Sequence, residues 1–182
     1  MYKKIICAGF GGQGIMVMGK LLARAAMDDK KEVVWMPSYG AEVRGGTAHS
    51  KVVISDTQIA SGLFLKPDDC IIMNRPSFLK FENLTAKGGT VIINSSLIND
   101  KLKREDVKVI RIPATEKARE LGNSRVANMV ALGAYQGVSG LVSLNSLCDA
   151  LKLVLPLHRH GLIDINIQAL KKGAELVNEC SS

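Results

Sequence analysis

Short apolar runs alternate along this chain with stretches whose apolar positions recur at three and four, and the two periods predict alternating strands and helices. Strands are predicted over Lys4–Ala8, Glu32–Met36, Ala48–Ser55, Cys70–Asn74, Thr90–Asn94 and Val107–Ile112. Helices are predicted over Gly12–Met27, Pro76–Asn83, Ala114–Leu121, Val126–Gln136, Leu144–Val154 and Ile167–Asn178. The helical carboxyl third is expected to break near Gly137–Gly140 and again at Pro156–Gly161. This alternation predicts an α/β layered fold. Ala48–Ser55 departs from the pattern, because it follows the second strand after only a glycine-rich loop. A parallel neighbour would need a crossover of about a dozen residues, so this strand is expected to run antiparallel in a mostly parallel, mixed sheet.

The chain has 182 residues and shows no internal repeat or low-complexity tract, so one domain over residues 1–182 is expected. No apolar run approaches the ~18 residues of a membrane span, and the amino terminus reads as a first strand, not a signal peptide. Cys7, Cys70, Cys148 and Cys180 are scattered without a C-x-x-C pair, which excludes a local zinc or iron–sulfur ligand cluster. Reduced thiols and a cytoplasmic location are the expectation, with Cys7, Cys70 and Cys148 as small core residues. The net charge of +7 raises nucleic acid as a partner, but the cations are spread and aromatics make up only 4%. That is too few for a base-stacking platform, so a polyanionic small molecule or a solvated basic surface fits better.

Gly9-x-Gly11-x-x-Gly14 joins the first strand to the first helix, the context in which such a loop can face a phosphate or simply pack. A nicotinamide site also needs an acid about twenty residues on, yet the second strand ends Val34-Trp35-Met36-Pro37-Ser38 without one. Gln13 in this loop can bond a ligand or a neighbour. Gly14-x-x-x-x-Gly19-Lys20 resembles part of a Walker A loop, but Leu21 replaces the magnesium-binding hydroxyl and the intervening residues are apolar. The segment Pro37–Thr47 carries Tyr39, Glu42 and Arg44 among glycines, suited to holding a guanidinium toward an anion. Asn74-Arg75 and Asn94-Ser95-Ser96 add polar groups at other strand ends. His49, His158 and His160 read as structural or surface residues, and no nucleophile, acid–base pair or metal set emerges. A binding subunit is indicated.

These segments together resemble the gamma subunit, or gamma domain, of the 2-oxoacid:ferredoxin oxidoreductases. The resemblance is carried by GFGGQG (Gly9–Gly14), SYGAEVRGGT (Ser38–Thr47), PATEKARELGNSRVANMVALG (Pro113–Gly133) and His160–Gly173, and covers nearly the whole chain. The wording of Ser38–Ser55 looks most like the 2-oxoglutarate type, although Ala41 stands where relatives often have Pro. The resemblance implies a three-layer Rossmann-like fold and a role in oxidative decarboxylation of a 2-oxoacid to acyl-CoA, with electrons passing to ferredoxin. It places thiamine diphosphate, magnesium and iron–sulfur clusters in partner alpha and beta subunits, and leaves a delta subunit open. By it, Gly11, Gly12, Gln13, Gly14, Ser38, Tyr39, Glu42, Arg44 and Gly45 face coenzyme A or a neighbouring subunit. A free-standing NAD-linked oxidoreductase and a purely structural assembly subunit are the alternatives. The particular 2-oxoacid and self-association of the isolated chain stay open.

Overall fold

The computed structural model describes residues 1–38 and 47–179, which form six strands and six α-helices. In chain order these are β1 (Tyr2–Phe10), α1 (Ile15–Asp28), β2 (Glu32–Ser38), β3 (Thr47–Ser55), β4 (Asp69–Ile72) and α2 (Arg75–Phe81). There follow β5 (Thr90–Asn94), β6 (Lys108–Ile112), α3 (Ala114–Glu120), α4 (Ala127–Ser139), α5 (Leu144–Val154) and α6 (Ile163–Glu179). Short 3-10 turns, Ser124–Val126 and Leu157–Leu162, lead into α4 and α6.

The strands form one sheet in the order β2-β3-β1-β4-β5-β6. β3 is antiparallel to both its neighbours, while β1, β4, β5 and β6 run parallel. The short β2–β3 link thus inserts β3 beside β1 and leaves β2 at the edge. Side chains alternate across the sheet as the two-residue period requires. Ile5, Cys7, Val52, Ile54, Ile71 and Ile92 meet a thick layer built from α1 and α3–α6. Ile6, Ala8, Cys70, Ile72, Val91 and Ile93 face a thinner layer, in which Phe78 and Phe81 of α2 and Ile98 close the core.

Three boundaries differ from expectation for identifiable reasons. α1 starts at Ile15, not Gly12, because Gly14 is left-handed (φ 73°) and cannot continue a helix. α4 runs past its expected end at Gln136 to Ser139 and stops at Gly140, within the break expected at Gly137–Gly140. Its glycines serve close helix packing, since a side-chain carbon at Gly133 would stand 2.0 Å from the Leu170 carbonyl oxygen of α6. α6 begins earlier than predicted, at Ile163, because the Leu157–Leu162 turn feeds directly into it.

Buried polar groups are tied down. Asp69 accepts from Tyr135 Oη (2.9 Å) and the Thr90 amide (2.8 Å) and pairs with Lys3 Nζ (3.2 Å), which offsets the cost of burying its charge. Asp29, at the end of α1, accepts from the Ser143 amide and the Ser146 hydroxyl and so fixes the start of α5. Cys7 and Cys70 lie on neighbouring strands but opposite faces; burial pushes both thiols up, that of Cys70 to about 12. Cys148 is half-buried rather than core, and Cys180 lies outside the described residues. No helix of the described residues is long and apolar enough to cross a membrane.

Candidate functional site

The loop after β1 is braced from within. Gln13 Oε1 accepts from the Phe10 amide (2.9 Å), and Gln13 Nε2 donates to the Met73 carbonyl at the end of β4 (3.3 Å). The Gln13 side chain thus ties the loop to the end of β4 with one donor and one acceptor position, while also lining the smaller of the clefts described below. Gly14 O accepts from Asn128 Nδ2 of α4 (3.2 Å), while Asn128 Oδ1 accepts from the Met129 amide (3.0 Å). This contact brings the amino termini of α1 and α4 together. Neither helix carries an acidic residue in its first turn, so both present a positive end to the space between them.

That space consists of two adjoining clefts. The larger, about 380 Å³, is lined by Gly12, Gly14, Asn123, Arg125, Asn128 and Arg159 with apolar walls that include Val17, Met129 and Leu162. The smaller, about 210 Å³, is lined by Gly12, Gln13, Thr115, Arg119, Ser124 and Arg125, among others. Arg119 belongs to the smaller cleft, Arg159 to the larger, and Arg125 to both. All three arginines are exposed, and none forms a salt bridge among the described residues. At Gly12 no heavy atom lies within 4 Å of where a side chain would begin, so no protein contact occupies this approach to the backbone. Unpaired guanidinium groups around a bare glycine loop, beside two helix amino termini, can hold a polyanion.

The expected site residues separate in space. Gly12, Gln13 and Gly14 line the clefts, and the exposed Gly11 sits in the same loop. Ser38 ends β2, with β3 between it and β1, which places it roughly 10 Å away at normal strand spacing. Tyr39, Glu42, Arg44 and Gly45 lie outside the described residues. The polar strand ends are used internally. Asn74 caps α2 by accepting from the Ser77 amide, Arg75 forms a bidentate pair with Asp100, and Asn94 Nδ2 donates to Thr115 Oγ1 (2.9 Å). The inserted β3 also bears on nicotinamide binding. In a dinucleotide fold the ribose-binding acid ends the strand beside β1, and here that neighbour is an antiparallel strand whose near end is Thr47.

Arg119, Arg125, Arg159, Asn123 and Asn128 were not expected at the site. A usable signal existed for some of them, since Gly122-Asn123-Ser124-Arg125 is a polar insert between two helical patterns. Arg159 had none, because only the fold brings the Leu157–Leu162 turn to the glycine loop. His49 lies on the other face of the sheet, its ring 5.3 Å from that of Phe81. Its Nδ1 is buried without a partner, and desolvation, with Lys80 and Lys51 nearby, holds its pKa below the usual value. Among the described residues no three His, Cys, Asp or Glu side chains gather as a metal site.

Residues 4–176 match the family model described as pyruvate ferredoxin/flavodoxin oxidoreductase. The chain is 38% identical over 182 residues to the 2-oxoglutarate synthase subunit KorC of Methanocaldococcus jannaschii, covering 98% of this chain and 96% of that one. It is 37% identical over 174 residues to the ketoisovalerate oxidoreductase subunit VorA of Methanothermobacter marburgensis; there it covers 94% of this chain but only 36% of the relative. The 2-oxoglutarate:ferredoxin oxidoreductase of Magnetococcus marinus, with 2-oxoglutarate, coenzyme A and succinyl-CoA bound, is similar in structure with a TM-score of 0.87. That match, at 25% identity, covers 98% of this chain and 31% of the other.

Proposed function

This chain belongs to the pyruvate ferredoxin/flavodoxin oxidoreductase family, and from that premise we propose that it is the gamma-type subunit of a multisubunit 2-oxoacid:ferredoxin oxidoreductase that holds coenzyme A for the complex. The complex would oxidatively decarboxylate 2-oxoglutarate or a related 2-oxoacid to the acyl-CoA and reduce ferredoxin. Thiamine diphosphate with magnesium, and iron–sulfur clusters, would supply the decarboxylation and electron transfer from the alpha and beta subunits. This chain's own residues bind and orient.

The observation that carries this reading is the trio Arg119, Arg125 and Arg159, unpaired around Gly12 and Gly14. Coenzyme A is polyanionic, and guanidinium groups recognise phosphate oxygens with directional, charge-assisted hydrogen bonds. Amides at the start of α1 add donors. Arg44, with Tyr39, Glu42, Gly45 and Ser38, keeps the ligand- or subunit-facing role that the resemblance implies. A second reading, a purely structural subunit, is favoured by Gln13 and Gly14, whose roles are met by contacts inside the protein.

The test uses the complex purified through a tag on this chain. Arg125→Ala is expected to raise the KM for coenzyme A about tenfold, the loss of ~1.4 kcal/mol, with subunit composition intact. Arg44→Ala is assayed alongside. Weakened assembly with an unchanged KM would favour the structural reading. A wild-type chain that brings down no coenzyme A-dependent 2-oxoacid oxidation would overturn both.

A further inference from the structure

The thin face of the sheet carries a feature that the cleft does not use. Residues 61–67 form an irregular ribbon, bent at Leu65 and Lys66, that lies over β2 and β3 and is tied at several points. Tyr2 Oη donates to the Ser61 carbonyl (3.1 Å), and the Leu63 amide donates to Ser61 Oγ (3.1 Å). Lys51 Nζ donates to the Phe64 carbonyl (2.8 Å) and stands 5.0 Å from the centre of its ring. Gly62 lies so close to Val34 that a side-chain carbon there would stand 2.4 Å from it. Phe64 turns inward to the core beneath α2. Its neighbours do the opposite: Leu63 and Leu65 are 80% and 86% exposed.

A fraying loop would explain two exposed leucines, but this segment is anchored on both sides of them. The Ala86 amide donates to the Pro67 carbonyl (2.8 Å) and so ties the end of the ribbon to the segment after α2, which carries the exposed Leu84. Leu79, on the outer side of α2, is half exposed on the same face. Exposed apolar side chains on an anchored segment mark an interaction site. Two exposed lysines flank it and make no salt bridge among the described residues: Lys66 in the ribbon itself, and Lys87 next to the tied Ala86, with Asp106 in its neighbourhood. Apolar side chains flanked by cations are complementary to an apolar patch ringed by carboxylates.

We propose that the Leu63–Leu65 ribbon with Leu84 and Leu79 is the docking surface for the adjoining polypeptide of the same oxidoreductase, which presents apolar side chains ringed by acidic residues. This rests on the complex-subunit reading above. The choice of a protein occupant has its own support. The unit is nearly the whole of one relative, but 36% of another and 31% of a solved chain, so it occurs both separately and joined to much more polypeptide. A unit found in both arrangements needs a face that the remaining polypeptide covers.

The test compares wild type, Leu63→Asp/Leu65→Asp and Leu157→Asp, each tagged and expressed in the source cell. Leu157 is 84% exposed, on the opposite, helical side of the fold, and controls for the loss of any exposed leucine. The double variant is expected to keep its melting temperature, and its isolated chain to bind coenzyme A like wild type. Recovery of the chains that oxidise 2-oxoacids should fall at least about tenfold, while Leu157→Asp recovers them normally. Full recovery with the double variant would overturn the docking surface alone. Failure of the wild-type chain to recover those chains would overturn the complex-subunit reading as well. If light scattering shows that the variant abolishes a wild-type dimer of the isolated chain, or vesicles containing phosphatidylglycerol bind wild type but not variant, the surface serves another occupant and the proposal is wrong.

Discussion

Asn128 Nδ2 donates to the carbonyl oxygen of Gly14 at 3.2 Å, across 114 residues of sequence. The bond joins the first loop of the sheet to the start of α4, and Asn128 lines both of the arginine-lined clefts. Gly14 is held there by its left-handed backbone and by closeness, since an added side-chain carbon would stand 2.4 Å from that same amide nitrogen. Gly14→Ala is therefore expected to cost about 2–3 kcal/mol, combining left-handed strain with the lost bond. Gly11→Ala meets nothing within 4 Å and should stay within about 0.5 kcal/mol of wild type. Urea unfolding of the two variants checks the contrast.

The arginines should not be equivalent. Arg125 borders both clefts, whereas Arg119 and Arg159 each border one. Titration calorimetry with coenzyme A is expected to show the largest loss for Arg125→Ala, about tenfold, and smaller losses for the other two. Affinity of the wild type should fall as salt rises, because exposed charges are screened. Equal, negligible effects of all three would remove the clefts from consideration.

His49 makes the fold sensitive to mild acid. Desolvation first, and then the nearby Lys80 and Lys51, hold its folded pKa below the usual 6.5, so the folded state favours the neutral ring. The unfolded chain binds the proton more readily. Stability from this group is thus complete above 6.5 and is lost as pH falls through the folded value. Asp56, Asp100 and Asp106 are also held low, chiefly by hydrogen bonds from the amino terminus, Arg75 and Arg104 respectively. Their exposed pairs begin to fail only near and below the usual 3.8, so the two windows separate. Melting curves from about pH 7.5 to 5 should fall for wild type and flatten for His49→Gln.

The α4–α6 contact offers a test in which two effects have opposite signs. Helix propensity alone favours Gly133→Ala by about 1 kcal/mol. The new methyl would stand 2.0 Å from the Leu170 carbonyl, a backbone atom that cannot swing away, and overpacking of this kind costs about 1–3 kcal/mol or more. A lower urea midpoint is expected; a higher one would show that the two helices separate easily.

The local code determined the order and type of every described strand and α-helix. Apolar runs such as Cys70-Ile71-Ile72 have no solvated side and suit central parallel strands, and Leu144–Val154 carries its apolar stripe between clear boundaries. The antiparallel β3 was legible too, because chain length alone forbids a crossover between β2 and β3. Sequence spacing also identified the glycine loop, but not the use of its side chains. Whether Gln13 faces a ligand or braces its own loop depends on the Met73 carbonyl, sixty residues away. The same limit hid Arg159, which reads as a surface cation in a turn between two histidines. Its place opposite Gly12 exists only because α4 and α6 cross at glycines and carry that turn to the carboxyl edge of the sheet. Element type follows from neighbours along the chain. Convergence of charge at a cleft is decided by packing between segments more than a hundred residues apart, where no local periodicity reaches.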